Sequence, residues 1–198
     1  MRVRVVIDGT NLHAGLQAQS SLAHYYWLDP SKLCQHIGRL HWPASQVEHL
    51  YYCTAPVRDQ ANDRNQRTRQ ETYFNALRSL SDCELVLGFH TRTVPPVEKQ
   101  TDVNVASYML WDALQAGAEG IILISNDVDL ATPVRLIAQE LGIPTLVLVP
   151  CRWIDRSVGL HGPNVTLRDL REGDLIASQF PDEIQDTHGT IRKPARPW

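Results

Sequence analysis

The sequence predicts an α/β fold, a three-layer α/β/α sandwich around a central, mostly parallel five-stranded sheet. Three observations carry this prediction. Five short runs are rich in Val, Ile, Leu or Tyr, the segments between them are longer with helical spacing of apolar residues, and helix start and stop signals fall at their ends. Unbroken apolar runs suit strands covered on both faces, and strands alternating with helices build βαβ units with right-handed crossovers. With 198 residues, 43% of them hydrophobic, the chain can fill one such core but not two.

The first strand is residues 3–7, a β-branched run closing on Asp8. Residues 48–54 (EHLYYCT) form the second, stopped by Ala55-Pro56, and residues 83–89 (CELVLGF) the third. Gly120–Ile124 is the fourth and Thr145–Val149 the fifth, closed by Pro150. Between them, Asp29-Pro30 starts a helix with a capping acid and a Pro at its first position, and Leu33, Ile37 and Leu40 form its apolar face. A long polar helix falls within 59–80, with Tyr73, Phe74, Leu77 and Leu80 on its buried side. Residues 101–116 carry Val105, Met109, Leu110 and Ala113 at helical spacing, and 129–141 is a helix stopped by Gly142. Beyond Cys151 the pattern weakens. One further helix is expected over 169–178, giving a domain over 1–178 followed by an extended tail over 179–198.

Composition excludes several classes. Lys and Arg total 19 against 22 Asp and Glu, a formal charge of -3, which fits neither a polybasic nucleic-acid coat nor an acidic tail protein. No apolar run approaches the roughly 20 residues of a membrane span, and the N-terminal run is too short for a signal-peptide core. Cys34, Cys53, Cys83 and Cys151 show neither metal-pair spacing nor a disulfide-dense pattern, so a reduced, cytoplasmic protein is expected. Gly9 alone follows the first strand where a dinucleotide fingerprint needs Gly-x-Gly-x-x-Gly, and no Walker loop occurs. An aspartyl-phosphate phosphatase would want a second Asp where Thr10 stands, and none of the eight His forms a close metal pair.

The acids are the informative residues. Open parallel sheets build their sites at the carboxyl ends of strands. Asp8 ends the first strand in IDGTN, and Asp127 and Asp129 follow the fourth in ISNDVDL. Asp102, in KQTDVNVA, opens a helix that reaches the same sheet edge only if the connection from the third strand delivers it there. Each acid also has a local role open to it: Asp8 in a turn, Asp127 or Asp129 as a helix cap, Asp102 as a first-turn acid. Converged, their charges repel unless a cation neutralises them. Mg²⁺ and Mn²⁺ prefer such oxygen ligands and retain waters, an arrangement suited to phosphodiester hydrolysis.

IDGTN, KQTDVNVA and LISNDVDL, in that order and spacing, resemble the NYN domain, a branch of the PIN-like nuclease superfamily. Tyr26–Asp29 and the closing segment SQFPDEIQDTHGTIRKPARPW are similar to bacterial stand-alone members. The resemblance implies a PIN-like, Rossmann-like sandwich and metal-dependent ribonuclease chemistry. It implies metal-binding roles for Asp8, Asp102, Asp127 and Asp129, a catalytic role for Asn11 in orienting a metal-bound water or phosphate, and loop-shaping roles for Thr10, Ser125 and Asn126. Mg²⁺ or Mn²⁺ is the implied cofactor, single-stranded RNA the implied partner, and a homodimer the family expectation. Many members carry another Asp six residues after the one matching Asp102, where this chain has Tyr108. Asp112 is a poor substitute, because ten helical residues span about 15 Å. That departure keeps a non-catalytic RNA-binding module open as an alternative, and pyridine-degradation monooxygenase names within the branch supply another.

A nuclease of this net charge needs local positive surface. Arg58, Arg64, Arg67 and Arg69 cluster around the start of the long helix, Arg92 follows the third strand, and Lys99 stands three residues before Asp102. They are candidate phosphate contacts or, equally, a solvated face paired with Asp59, Asp63 and Glu71. Tyr25, Tyr26 and Trp27 are candidates for base stacking or for packing, and Arg192, Lys193 and Arg196 for RNA contact or solvation.

Overall fold

Six parallel strands, one more than expected, form the central sheet: β1 (Arg2–Asp8), β2 (Gln46–Thr54), β3 (Cys83–Leu87), β4 (Gly120–Ile124), β5 (Thr145–Val149) and β6 (Val165–Asp169). Their spatial order is β3-β2-β1-β4-β5-β6, with every adjacent pair parallel. The computed structural model describes residues 1–58, 62–93, 97–150, 159–187 and 189–198. Asp59 and Cys151, named above, lie outside the described residues.

The strand sequences explain the layers. Along β1, Val3, Val5 and Ile7 point to one face, and Val6 points to the other. On the first face lie α1 (Gly9–Gln17), α2 (Pro30–His41), α3 (Gln66–Arg78) and α6 (Glu172–Ala177), which contribute Leu12, Leu16, Leu33, Ile37, Tyr73, Phe74, Leu77 and Leu175. On the second, α4 (Thr101–Leu114) and α5 (Ala131–Arg135) contribute Val105, Met109 and Val134. Each such side chain, once buried, contributes about 1.5–3 kcal/mol. All five residues of β4 and of β5 are buried, as strands covered on both faces require.

Local signals place the helix ends. Asp8 and Asp29 cap α1 and α2 by accepting the backbone N–H of Asn11 and Lys32. The expected helix over 129–141 winds in three consecutive forms, a 3₁₀ turn (Val128–Leu130), α5 and a π turn (Leu136–Glu140), and it stops at Gly142 with φ 69°.

Several expectations need correction. Residues 165–169 are strand β6 and the helix that follows is only Glu172–Ala177, because β6 is an edge strand whose half-exposed residues lack an unbroken apolar signature. The third strand stops at Leu87. Gly88 intervenes, and Phe89–His90 pairs antiparallel with Glu98–Lys99 instead. Leu40, expected on the buried face of α2, is 59% exposed, because the buried face of that helix runs through Leu33, Cys34, Ile37 and Gly38 instead. The segment from 179 holds a hairpin, Glu183–Asp186 with Gly189–Arg192, and its Ile184, Ile191 and Trp198 pack against the core of the first face. No helix among the described residues is long and apolar enough to cross a membrane.

Candidate functional site

The strand order reverses between β1 and β4, the position where open parallel sheets form ligand crevices. Ile7 sits opposite Ile124, so Asp8 and Ser125 leave neighbouring strands side by side. Ser125 Oγ donates to Asp8 Oδ2 (3.0 Å) and accepts the Asp127 N–H (3.1 Å), while Asp8 Oδ1 accepts the Asn11 N–H (2.9 Å). Asn11 Oδ1 in turn accepts the Asn126 N–H at 3.2 Å. The two loops are therefore tied through side chains that the motifs IDGTN and ISND supply. Gly9 serves a steric purpose here: a Cβ on it would lie 2.3 Å from the Tyr52 ring.

The third segment arrives from beyond β3. Gly88 lies so close to the Glu98–Thr101 strand end that a Cβ would stand 2.5 Å from the Lys99 carbonyl oxygen and 2.9 Å from Thr101 Oγ1. Gln100 then takes φ 78° to enter α4, a left-handed conformation that costs a non-glycine residue about 1–3 kcal/mol. The result places Asp102 over the same edge. Gly88→Ala is expected to destabilise the fold by about 1–3 kcal/mol, because backbone must move to admit the methyl. Thermal unfolding checks this, with roughly 2–4 °C lost per kcal/mol at this chain length.

One carboxylate oxygen each from Asp8, Asp102 and Asp127 lies within 4.8 Å of the others, with Asp8 buried, Asp127 half-buried and Asp102 exposed. They border a cleft of about 300 Å³, together with Thr10, Asn11, Glu98, Lys99 and Thr101. Burial pushes the Asp8 carboxyl up to about 6 against the pull of the Asn11 N–H and the Ser125 hydroxyl, and the charges of Asp102 and Asp127 push the same way. Asp102 is also raised, first by burial, then by Asp127, Glu98 and Asp129. An acid cluster that resists ionisation in this way is relieved by a bound cation.

The donor set fits a hard divalent ion: three carboxylates at one edge, all oxygen. Thr101, which borders the cleft, has a buried Oγ1 without a hydrogen-bond partner among the described residues. Mg²⁺ or Mn²⁺ would be held by Asp8, Asp102 and Asp127.

The other expected residues divide. Asp129 stands outside the three-carboxylate group, and its N–H caps Asp127 Oδ1 at 2.9 Å. Lys99 lines the cleft. Arg58 instead donates to the carbonyl oxygens of His90 and Thr91, and Arg69 pairs with Asp63 and donates to the Pro197 carbonyl oxygen at 2.7 Å. Arg64, Arg67 and Arg92 are exposed and border neither the cleft nor its neighbouring cavity. Trp27 is fully buried with its indole N–H on the Pro181 carbonyl oxygen, Tyr26 donates to Pro194 O and Tyr25 to Glu172, so these rings pack. Arg196 pairs with Asp63, Arg192 with Glu183 and Lys193 with Asp182. Tyr108 stacks on Tyr51, with ring centroids 4.1 Å apart. The three-carboxylate group does not include residue 108, which lies about 9 Å along α4 from Asp102. Glu98 and Thr101 were missed from sequence. Their only signal was proximity to Asp102.

A doubly wound parallel sheet with acids converged at its switch point places the chain among α/β proteins with an acidic site at the carboxyl ends of the strands. The sequence pattern of the NYN domain matches residues 2–154, and the chain belongs to that family, within the PIN-like superfamily. Among curated proteins it is 25% identical over 234 aligned positions to 6-hydroxy-3-succinoylpyridine 3-monooxygenase HspA of Pseudomonas putida, covering 97% of this chain and 74% of that one. Among solved structures it superposes on a protein of unknown function from Vibrio parahaemolyticus with a TM-score of 0.62, at 14% identity, over 90% of this chain and 96% of that one. The last likeness concerns the fold alone.

Proposed function

We propose that this protein is a ribonuclease that hydrolyses phosphodiester bonds of single-stranded RNA with Mg²⁺ or Mn²⁺. The convergence of Asp8, Asp102 and Asp127 from three distant segments within 4.8 Å carries the reading. A divalent cation bound there lowers the pKa of a coordinated water and offsets charge on the phosphoryl group. The chain does the rest. Ser125 and the Asn11 N–H hold the Asp8 carboxylate in one orientation, and Asn11 and Asp127 are fixed by the loop bonds described above. Lys99 supplies positive charge at the rim. No histidine base is needed. The test is cleavage of an unstructured RNA: turnover with Mn²⁺ or Mg²⁺ that EDTA abolishes supports the proposal, and turnover indifferent to EDTA refutes it.

Lys99→Ala is expected to weaken RNA binding at low salt and to reduce the slope of log affinity against log salt by about 0.7, one phosphate contact on a single strand. Filter binding across a salt series measures it. The likeness to a pyridine monooxygenase supports a second reading, oxygenation of an N-heteroaromatic acid. Bound flavin and NADH consumption by the purified protein, without RNA cleavage, would favour that reading.

A further inference from the structure

A second cavity, of about 180 Å³, adjoins the acidic cleft and shares its walls at Thr10, Ala14 and Glu98. Half of its remaining lining carries aromatic or imidazole rings. Tyr52 and Phe74 are buried within it, His90 stands at one side, and His13 and Trp198 close another. Trp198 is held in place: its ring stacks on His13 (4.8 Å between centroids, 16° between planes) and on Tyr73 (4.7 Å, 25°). Its carbonyl oxygen lies 3.0 Å from His13 Nε2, and Arg69 donates to Pro197 O just before it. Burial lowers the proton affinity of His13, opposed by its contact with the Trp198 oxygen. The proposed hydrolysis of a phosphodiester uses none of these rings.

We infer that this cavity is a subsite for one unpaired nucleobase of the RNA strand, next to the phosphate engaged at the carboxylates. The inference rests on the ribonuclease reading and deepens it. The cavity falls below the roughly 300–1,000 Å³ of pockets for drug-sized ligands, which suits one planar ring system rather than a longer ligand. Aromatic side chains bind bases with little sequence preference, and here Tyr52, Phe74 and His90 offer the ring contacts while Trp198, already stacked on His13 and Tyr73, forms the closing wall. The shared walls join a ring-binding space to an oxyanion-binding one, and a nucleotide presents the same pair of groups. A base paired in a duplex could not enter, so the substrate must be single-stranded or locally opened.

The test uses the whole chain with Mg²⁺ present, since the mononucleotides added carry no phosphodiester bond to cleave. The five tryptophan indole N–H signals are followed by NMR, with that of Trp198 assigned from its loss in Trp198→Phe. Adenosine or uridine 5′-monophosphate should shift the Trp198 signal, and ribose 5-phosphate should leave it in place. Trp198→Ala should weaken nucleotide binding roughly tenfold, and Trp198→Phe should restore most of it. Absence of a nucleotide shift, an equal shift from ribose 5-phosphate, or binding confined to a hydroxypyridine carboxylic acid would overturn the inference. With Mn²⁺ present, an RNA carrying one abasic ribose should be cut about tenfold more slowly beside the gap. Unchanged cutting at every position removes the subsite while leaving the nuclease standing. A Trp198 shift without cleavage of any RNA keeps the subsite and removes the nuclease.

Discussion

Asp8→Asn is expected to lower metal-dependent RNA cleavage roughly a thousand-fold, about 4 kcal/mol of transition-state stabilisation, while leaving the protein folded. Asp8 is the buried member of the carboxylate group, and it is oriented by two hydrogen bonds. The amide keeps the shape and loses the charge that would hold a cation. Removing a buried charge from an acid cluster also relieves repulsion, so in EDTA the variant should melt no lower than the parent. Mn²⁺ should raise the melting temperature of the parent and not that of the variant, since only a ligand that binds the native state stabilises it. Parental cleavage by the variant, or equal stabilisation by Mn²⁺, would end the assignment. A loss of activity together with fold would show only that Asp8 is structural. The melting curves separate these outcomes.

Asp112→Asn is expected to stabilise the protein at neutral pH. Asp112 lies on the inner side of α4, fully buried, with neither carboxylate oxygen hydrogen-bonded among the described residues. Burial raises its carboxyl from 3.8 to about 6, opposed only by the charge of Arg4. The folded state therefore holds the proton more tightly than the unfolded chain does. The stability contributed by the protonated form is complete below pH 4 and is lost as pH rises through about 6. At 1.36 kcal/mol per tenfold, that loss is at most about 3 kcal/mol. Thermal melts of parent and variant should diverge between about pH 4 and 6 and stay apart above that, with the variant several degrees higher. A difference that stays constant across that range would show that the Asp112 carboxylate is paired in solution.

Much of this molecule was readable along the chain. Gly120–Ile124 and Thr145–Val149 have in the structure the bounds their apolar runs suggest, because strands covered on both faces need a wholly apolar sequence. Asp29-Pro30 started α2 where a capping acid and a Pro at N1 should. β6 escaped notice for the converse reason. Its sequence VTLRD pairs with β5 on one side only and keeps most of its residues half-exposed. The basic residues were legible as charges but not as contacts: Arg69 is spent on Asp63 and the tail, and only Lys99 among the expected cations reaches the cleft.

What the order of residues fixed was which acids stand at strand ends: Asp8 and Asp127 follow apolar runs directly, and adjacent parallel strands bring their ends together. Only the tertiary structure decided that Asp102 joins them. Its arrival depends on a backbone path through Gly88, where a side chain would meet Lys99 and Thr101, and through Gln100 at φ 78°, a conformation that a glutamine does not favour by itself. Trp198 likewise reaches His13 and Tyr73 only through the tertiary structure, across the first face of the sheet. Propensity and periodicity act over a few neighbouring residues, whereas these placements depend on how separate segments pack against one another.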